Sequence, residues 1–193
     1  MSKARLEAFS DGVFAVAITL LVIEIAVPGE HGNLTHQVGQ LWPSFAGYLV
    51  SFTTIGIIWV NHHTTLSQFR RLTRTLLFLN LNLLLWVVLI PWSTALIADH
   101  LRDTGSDQHF AACIYALNFF LMGVAFFVLW DYAIRANLLD ASQDVVRRLR
   151  TRNALGEGAY LVAAGVAWIS APAALIICGL VAVYYIHPGP LRL

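Results

Sequence analysis

The apolar residues of this chain arrive in blocks of roughly 17 to 25, the length at which an α-helix crosses the hydrocarbon core of a bilayer. Reading those blocks between polar loops predicts six helices, at about 6–27, 41–66, 75–98, 108–134, 153–169 and 172–187. Only 12% of the 193 residues are charged, and 58% are hydrophobic. A soluble domain would carry about a quarter charged residues. The expected class is therefore an all-α, multi-pass membrane protein, with residues 1–193 forming one membrane domain. The last two helices are parted only by Ile169-Ser170-Ala171-Pro172, where proline favours starting a new helix. A single broken helix would be longer than any ordinary span.

The basic residues set the orientation. Lys3 and Arg5 precede the first span, Arg70, Arg71 and Arg74 lie between the second and third, and Arg135, Arg147, Arg148, Arg150 and Arg152 lie between the fourth and fifth. Arg192 follows the sixth, and only Arg102 falls on the other side. The basic excess marks the cytoplasmic side, so both termini are expected inside, which requires an even number of spans. Because these charges flank membrane segments, the net charge of +1 gives no reason to expect nucleic acid. Within 135–153, Val145, Val146 and Leu149 recur at helical spacing, and this segment could continue the fourth span as a cytoplasmic amphipathic helix. Cys113 and Cys178 sit in apolar segments and lack metal or redox spacing. The first apolar run has no convincing cleavage site and reads as a retained span. Trp42, Trp86, Trp92 and Trp168 lie near span ends or faces, suited to anchoring at the interface or to packing between helices.

Polar groups inside such spans are costly unless they have partners or water. The first span carries Arg5, Ser10 and Asp11 at one end, then a bare run with Thr19 as its only polar side chain before Glu24. The second span brings Trp59, Asn61, His62 and His63 to the same depth, the third offers Asn80 and Asn82, and the fourth offers Asn118 and Asp131. Asp11 and Ser10 could meet Asn61, His62 or His63 in a hydrogen-bonded cluster that fixes the helix pair. That cluster could be a static clamp, a support for an ion path, or both. A metal site fits poorly, because adjacent histidines point about 100° apart on a helix. No nucleophile elbow, P-loop or dinucleotide fingerprint appears, and Gly156-Glu157-Gly158 is too short to carry meaning. No enzyme activity and no cofactor are expected.

Val16, Leu20 and Ile23 are spaced i, i+4, i+7 and share one face of the first helix, with Thr19 beside it. Such a stripe is ordinary packing in most helices. Ringed around a symmetry axis, it would form a hydrophobic constriction.

The stretch from Arg5 through Phe9-Ser10-Asp11-Gly12 to Ile25, with its Arg-x-x-x-Phe-Ser-Asp core, resembles the signature of the TMEM175 family of potassium channels. Ile55-Gly56-Ile57-Ile58-Trp59-Val60-Asn61-His62-His63 resembles that family's second helix. The one-repeat layout is similar to the bacterial members. The resemblance implies a homotetramer in the bacterial inner (plasma) membrane, with the first helix lining a central pore and no other protein partner. It implies a potassium-permeable cation channel, with potassium as the permeant species and no cofactor. The narrowest point would be Val16, five residues after the motif aspartate, with further layers at Leu20 and Ile23 and Thr19 as a polar lining position. Relatives often carry Ile or Leu at the first layer, so valine implies a wider ring and weaker selectivity. Arg5, Phe9, Ser10 and Asp11, joined by Trp59 and by His62, His63 or both, would hold the pore helix without touching the ion. The alternative is a proton-coupled or other secondary transporter using Asp11, Glu24 and the histidines of the second helix as relay groups.

Overall fold

A computed structural model of the protein describes residues 2–29, 32–103, 105–139 and 143–186. The described residues form α1 (Lys3–Ile23), α2 (Leu34–Gln40), α3 (Trp42–Ser67), α4 (Arg74–Val88), α5 (Ile90–His100), α6 (Ser106–Arg135), α7 (Gln143–Val166) and α8 (Ala171–Ile186), with no strand among them. Four stretches are long and apolar enough to cross a bilayer: Lys3–Ile23, Trp42–Ser67, Arg74–His100 and Ser106–Arg135. The apolar helix α8 is shorter, at 16 residues. His31, His187 and Arg192 lie outside the described residues.

The helices differ from the expected spans in three places. The short helix α2, capped by the Asn33 side chain on the His36 amide, fell in an expected loop. The third span, expected as one helix, breaks at Leu89 into α4 and α5. Pro91 is the cause: it has no N–H to offer the Val87 carbonyl, and its ring crowds that carbonyl. A side chain from α6 repairs the gap. The Asn118 amide, oriented to satisfy its surroundings, donates to the Trp86 carbonyl (3.2 Å) and accepts from the Ile90 amide (3.2 Å) and Ser93 Oγ (3.0 Å). It stands in for the helical bond that would otherwise join Ile90 to Trp86.

The 135–153 segment does not extend the fourth span. α6 ends at Arg135, and Asn137 takes a left-handed conformation (φ 55°). The Leu138 amide donates to the Ala133 carbonyl (2.8 Å) and the Asn137 amide to that of Ile134 (3.0 Å). This paired pattern closes a helix C-terminus, and Asn tolerates the required backbone. The amphipathic stretch instead begins α7, which starts at Gln143, well before the expected residue 153. α7 and α8 are two separate helices joined in a hairpin. Arg152 Nη2 donates to the Tyr185 carbonyl (3.1 Å), and Tyr185 Oη donates back to the Arg152 carbonyl (3.2 Å), so the end of α8 lies beside the first half of α7.

α6 is the central post, packed against α4, α5, α7 and α8. Close approach comes from small residues. Ala112, Ala116 and Ala125 on α6 meet Ala163 and Ala164 on α7 and Ala171 and Ala174 on α8 in one buried cluster. Helices in lipid gain little from hiding apolar surface from one another, so intimate contact between small residues is what holds them. Both ends of the bundle are tied. At one, Lys3 Nζ donates to the Ser67 carbonyl and the Arg70 amide to the Leu138 carbonyl (3.0 Å), over a cluster of Leu6, Leu66, Phe69 and Leu76. At the other, Arg102 donates to Gln40 and lies over the Trp42 ring, and the His109 ring meets the Ala167 carbonyl (2.7 Å). Trp42, Trp92 and Trp168 are exposed, whereas Trp86 packs against the core.

Candidate functional site: the first helix and its clamp

The sequence of α1 divides it lengthwise. Leu6, Ser10, Phe14, Ala17 and Leu21 recur at three- and four-residue steps, and all are buried against α3, α4 and α5. Phe9, Val16, Leu20 and Ile23 recur on the opposite side and are exposed, Val16 at 57% and Ile23 at 71%. Gly12 lies in the same stripe and has open space where a side chain would be. Thr19 Oγ1 donates to the Val16 carbonyl (2.9 Å), so its hydroxyl is already satisfied along the helix and only its oxygen lone pairs face outward.

The buried face is fixed by three polar groups from three helices. Asn80 of α4 donates from Nδ2 to Ser10 Oγ (3.1 Å) and accepts at Oδ1 from His62 Nε2 of α3 (2.6 Å). This chain assigns the ring tautomer: Nε2 carries the proton, and Nδ1, which is buried, has no partner. Phe14 tilts against the His62 ring at 5.3 Å. In lipid the alternative to these bonds is an orphaned polar group, so each side chain restricts the rotation and depth of its neighbour. Next to this chain, nearer the surface, Trp59 Nε1 donates to Asp11 Oδ1 (2.8 Å), and His63 lies beside the Trp59 ring at 6.3 Å.

The residues expected to hold the first helix thus fall into three groups. Ser10 and His62 belong to one buried network, joined through Asn80 rather than directly. Asp11, Trp59 and His63 form a more exposed cluster. Arg5 and Phe9 are exposed on the wall of a groove whose other side is Arg74, Phe78 and Leu81, with the Arg74 guanidinium over the Phe78 ring. Glu24 caps the far end of α1, thirteen residues or about 20 Å from Asp11 along the helix, so the proposed relay groups do not form a contiguous path within the described residues. No group of three or more metal-ligating side chains occurs among those residues.

A second buried polar network was missed by sequence reasoning. Ser51 Oγ meets Thr94 Oγ1 (2.7 Å) and Tyr115 Oη (2.9 Å), binding α3, α5 and α6 together. Gly47, one turn from Ser51, leaves room for the Thr94 methyl, which would lie 3.1 Å from an added Cβ. The signal was a Gly-x-x-x-Ser pair of small residues on one helix face, the pattern that lets membrane helices approach.

The model of the family described as endosomal/lysosomal potassium channel TMEM175 matches residues 5–91, which contain α1 from Arg5 onward, its clamp and Trp59. A potassium channel of Streptomyces collinus is 47% identical over 188 residues, spanning 95% of this chain and 91% of that protein. The chain belongs to the TMEM175 family. A solved lysosomal potassium-selective TMEM175 homologue from Chamaesiphon minutus superposes with a TM-score of 0.83 at 35% identity, covering 95% of this chain and 96% of that one. The fold is also shared by the potassium channel MtTMEM175, at a TM-score of 0.65 and 21% identity. In TMEM175 terms, the residues of this chain that match the family model include both the helix that is held and the residues that hold it.

Proposed function

We propose that this chain forms a homotetrameric, potassium-permeable cation channel in the bacterial inner membrane, with α1 of each subunit facing a central pore. Each subunit is one membrane domain of six spans, formed by α1, α3, the broken helix α4–α5, α6, α7 and α8, with both termini cytoplasmic. The observation that carries the reading is the division of α1. One face is locked into the subunit by Ser10, Phe14 and Ala17, and the other offers Val16, Leu20 and Ile23 to something outside it. Relatives named as potassium channels that cover nearly the whole chain support the same reading.

In this account the ion meets no fixed ligand at Val16. It passes a ring of branched apolar side chains and must shed part of its hydration, which costs less for potassium than for the smaller sodium ion. Leu20 and Ile23 add layers, and the outward lone pairs of Thr19 supply the one polar surface between them. The Ser10–Asn80–His62 chain and the Trp59–Asp11 bond keep the four copies of α1 at a common depth and rotation. Potassium and sodium flux through the purified protein in liposomes tests the proposal. Passive potassium flux is expected, and Val16→Ala should widen the ring and lower the preference for potassium over sodium. Unchanged selectivity in that variant would contradict the assignment of the bottleneck. The transporter reading is less favoured, because Asp11 is committed to Trp59 and His62 to Asn80, and Glu24 stands at the opposite end of α1.

A further inference from the structure

A cavity of about 430 Å³ lies between α3, α6, α7 and α8, apart from α1. Its size is that of a small-molecule site. Two buried polar atoms of its lining have no hydrogen-bond partner: Nε1 of Trp130, a residue 1% exposed, and Oε2 of Glu157. The other Glu157 oxygen rests on α6 where Gly123 leaves space, since a Cβ there would come within 1.9 Å of Oε1. The preceding residue, Gly156, makes room in the same way for the Tyr185 hydroxyl, at 2.0 Å. Within Gly156-Glu157-Gly158, Gly156 therefore admits the Tyr185 ring, while the space for the Glu157 carboxyl group is supplied by Gly123 across the helix contact.

The surroundings do not satisfy that carboxyl group. Thr64 and Thr65 on the cavity wall give their hydroxyl protons back to the Val60 and Asn61 carbonyls (2.9 and 2.8 Å). The Arg152 guanidinium lies over the Tyr185 ring at 5.1 Å and donates to the Tyr185 carbonyl. What remains is an unpartnered carboxyl oxygen and an unpartnered indole N–H, on two residues that line a chamber also walled by Phe126, Tyr160, Met122 and Ile57. A carboxylate with aromatic faces around it is the chemistry that recognises an organic ammonium group. The free N–H asks for an acceptor on the same molecule. A hydrocarbon chain would leave both polar atoms unpaired.

We propose that this chamber is a binding site for a protonated amine that carries an apolar body and a hydrogen-bond acceptor, separate from the ion path along α1. The ammonium group bonds Glu157, the acceptor takes the Trp130 N–H, and the apolar body lies against Phe126 and Met122. The site belongs to each subunit and does not depend on how the channel reading fares.

The test is calorimetric titration of the purified full-length protein in detergent with 2-amino-1-phenylethanol, and with 1-phenylethanol as its neutral analogue. The amine is expected to bind saturably and the neutral alcohol not to compete. Glu157→Gln should weaken the amine by about tenfold or more, and Trp130→Phe by about fivefold. Gly123→Ala, which keeps the carboxyl group but displaces it, should also weaken it, whereas Val16→Ala should leave it unchanged. Absence of saturable binding, equal binding of the neutral alcohol, or loss of binding in Val16→Ala with retention in Glu157→Gln would each overturn the proposal. The competition between amine and alcohol needs only the wild-type protein, so the proposal stays testable even if a variant fails to fold.

Discussion

On one side of α1, Ser10 is fully buried and hydrogen-bonded to Asn80, with Phe14 and Ala17 closed into the core; on the other, Val16, Leu20 and Ile23 are exposed along its C-terminal part. Both faces belong to the same 21 residues. The difference teaches that the subunit spends its polar contacts on fixing the helix and leaves the opposite surface for a partner or a path outside itself. A helix meant only to be packed would bury its large side chains on every side that faces protein. A helix meant only to meet lipid would not need three helices' polar groups to set its rotation.

The comparison can be broken by weakening each face in turn. The largest effect is expected from Asn80→Ala, which orphans His62 Nε2 and Ser10 Oγ together and leaves a void: about 3 kcal/mol of stability, read from the midpoint of SDS-induced unfolding. A loss under about 1 kcal/mol would mean that the network does not hold α1. Next comes Asn118→Leu, expected to cost about 2 kcal/mol by stranding the Trp86 carbonyl and the Ile90 amide at the break before Pro91. If thermal unfolding in detergent is unaffected, those groups have found other partners. Ser10→Ala should cost only about 1 kcal/mol, since Asn80 keeps its bond to His62 and interhelical bonds in membranes are individually modest. On the exposed face, Val16→Ala should alter stability by less than about 0.5 kcal/mol while changing ion selectivity. A stability loss as large as that of Ser10→Ala would show that Val16 is a packing residue and that the two faces are not different in kind.

The sequence made the membrane character legible, because apolar blocks of this length have few other uses. It also identified Ser10, Asp11, Trp59 and His62 as groups needing partners. It did not reveal which partners. Depth along a helix can be counted from sequence, but rotation about its axis depends on packing, so Asn80 was recognised as a polar group yet not as the link between Ser10 and His62. The break at Leu89 was hidden because Pro91 sits inside an apolar run, and the compensating Asn118 comes from a different helix. α7 was started too late because its first half is charged, although Asn137, a residue suited to left-handed backbone, was a readable stop for α6. The Ser51–Thr94–Tyr115 network left one local sign, the Gly47-x-x-x-Ser51 pair that lets a helix approach, but hydroxyl groups scarcely lower the hydropathy of a span and do not show that three of them meet.

The central claim is that the outward face of α1 borders water in an ion path rather than lipid or another helix. Cysteine accessibility at Val16 tests it most directly. In Val16→Cys channels recorded in planar bilayers, a positively charged, membrane-impermeant methanethiosulfonate should abolish the potassium current, with the wild type, whose Cys113 and Cys178 are half-buried and buried, as the unreactive control. An unaltered current, with the same cysteine labelled only by a lipid-soluble maleimide, would place Val16 against the membrane and contradict the account.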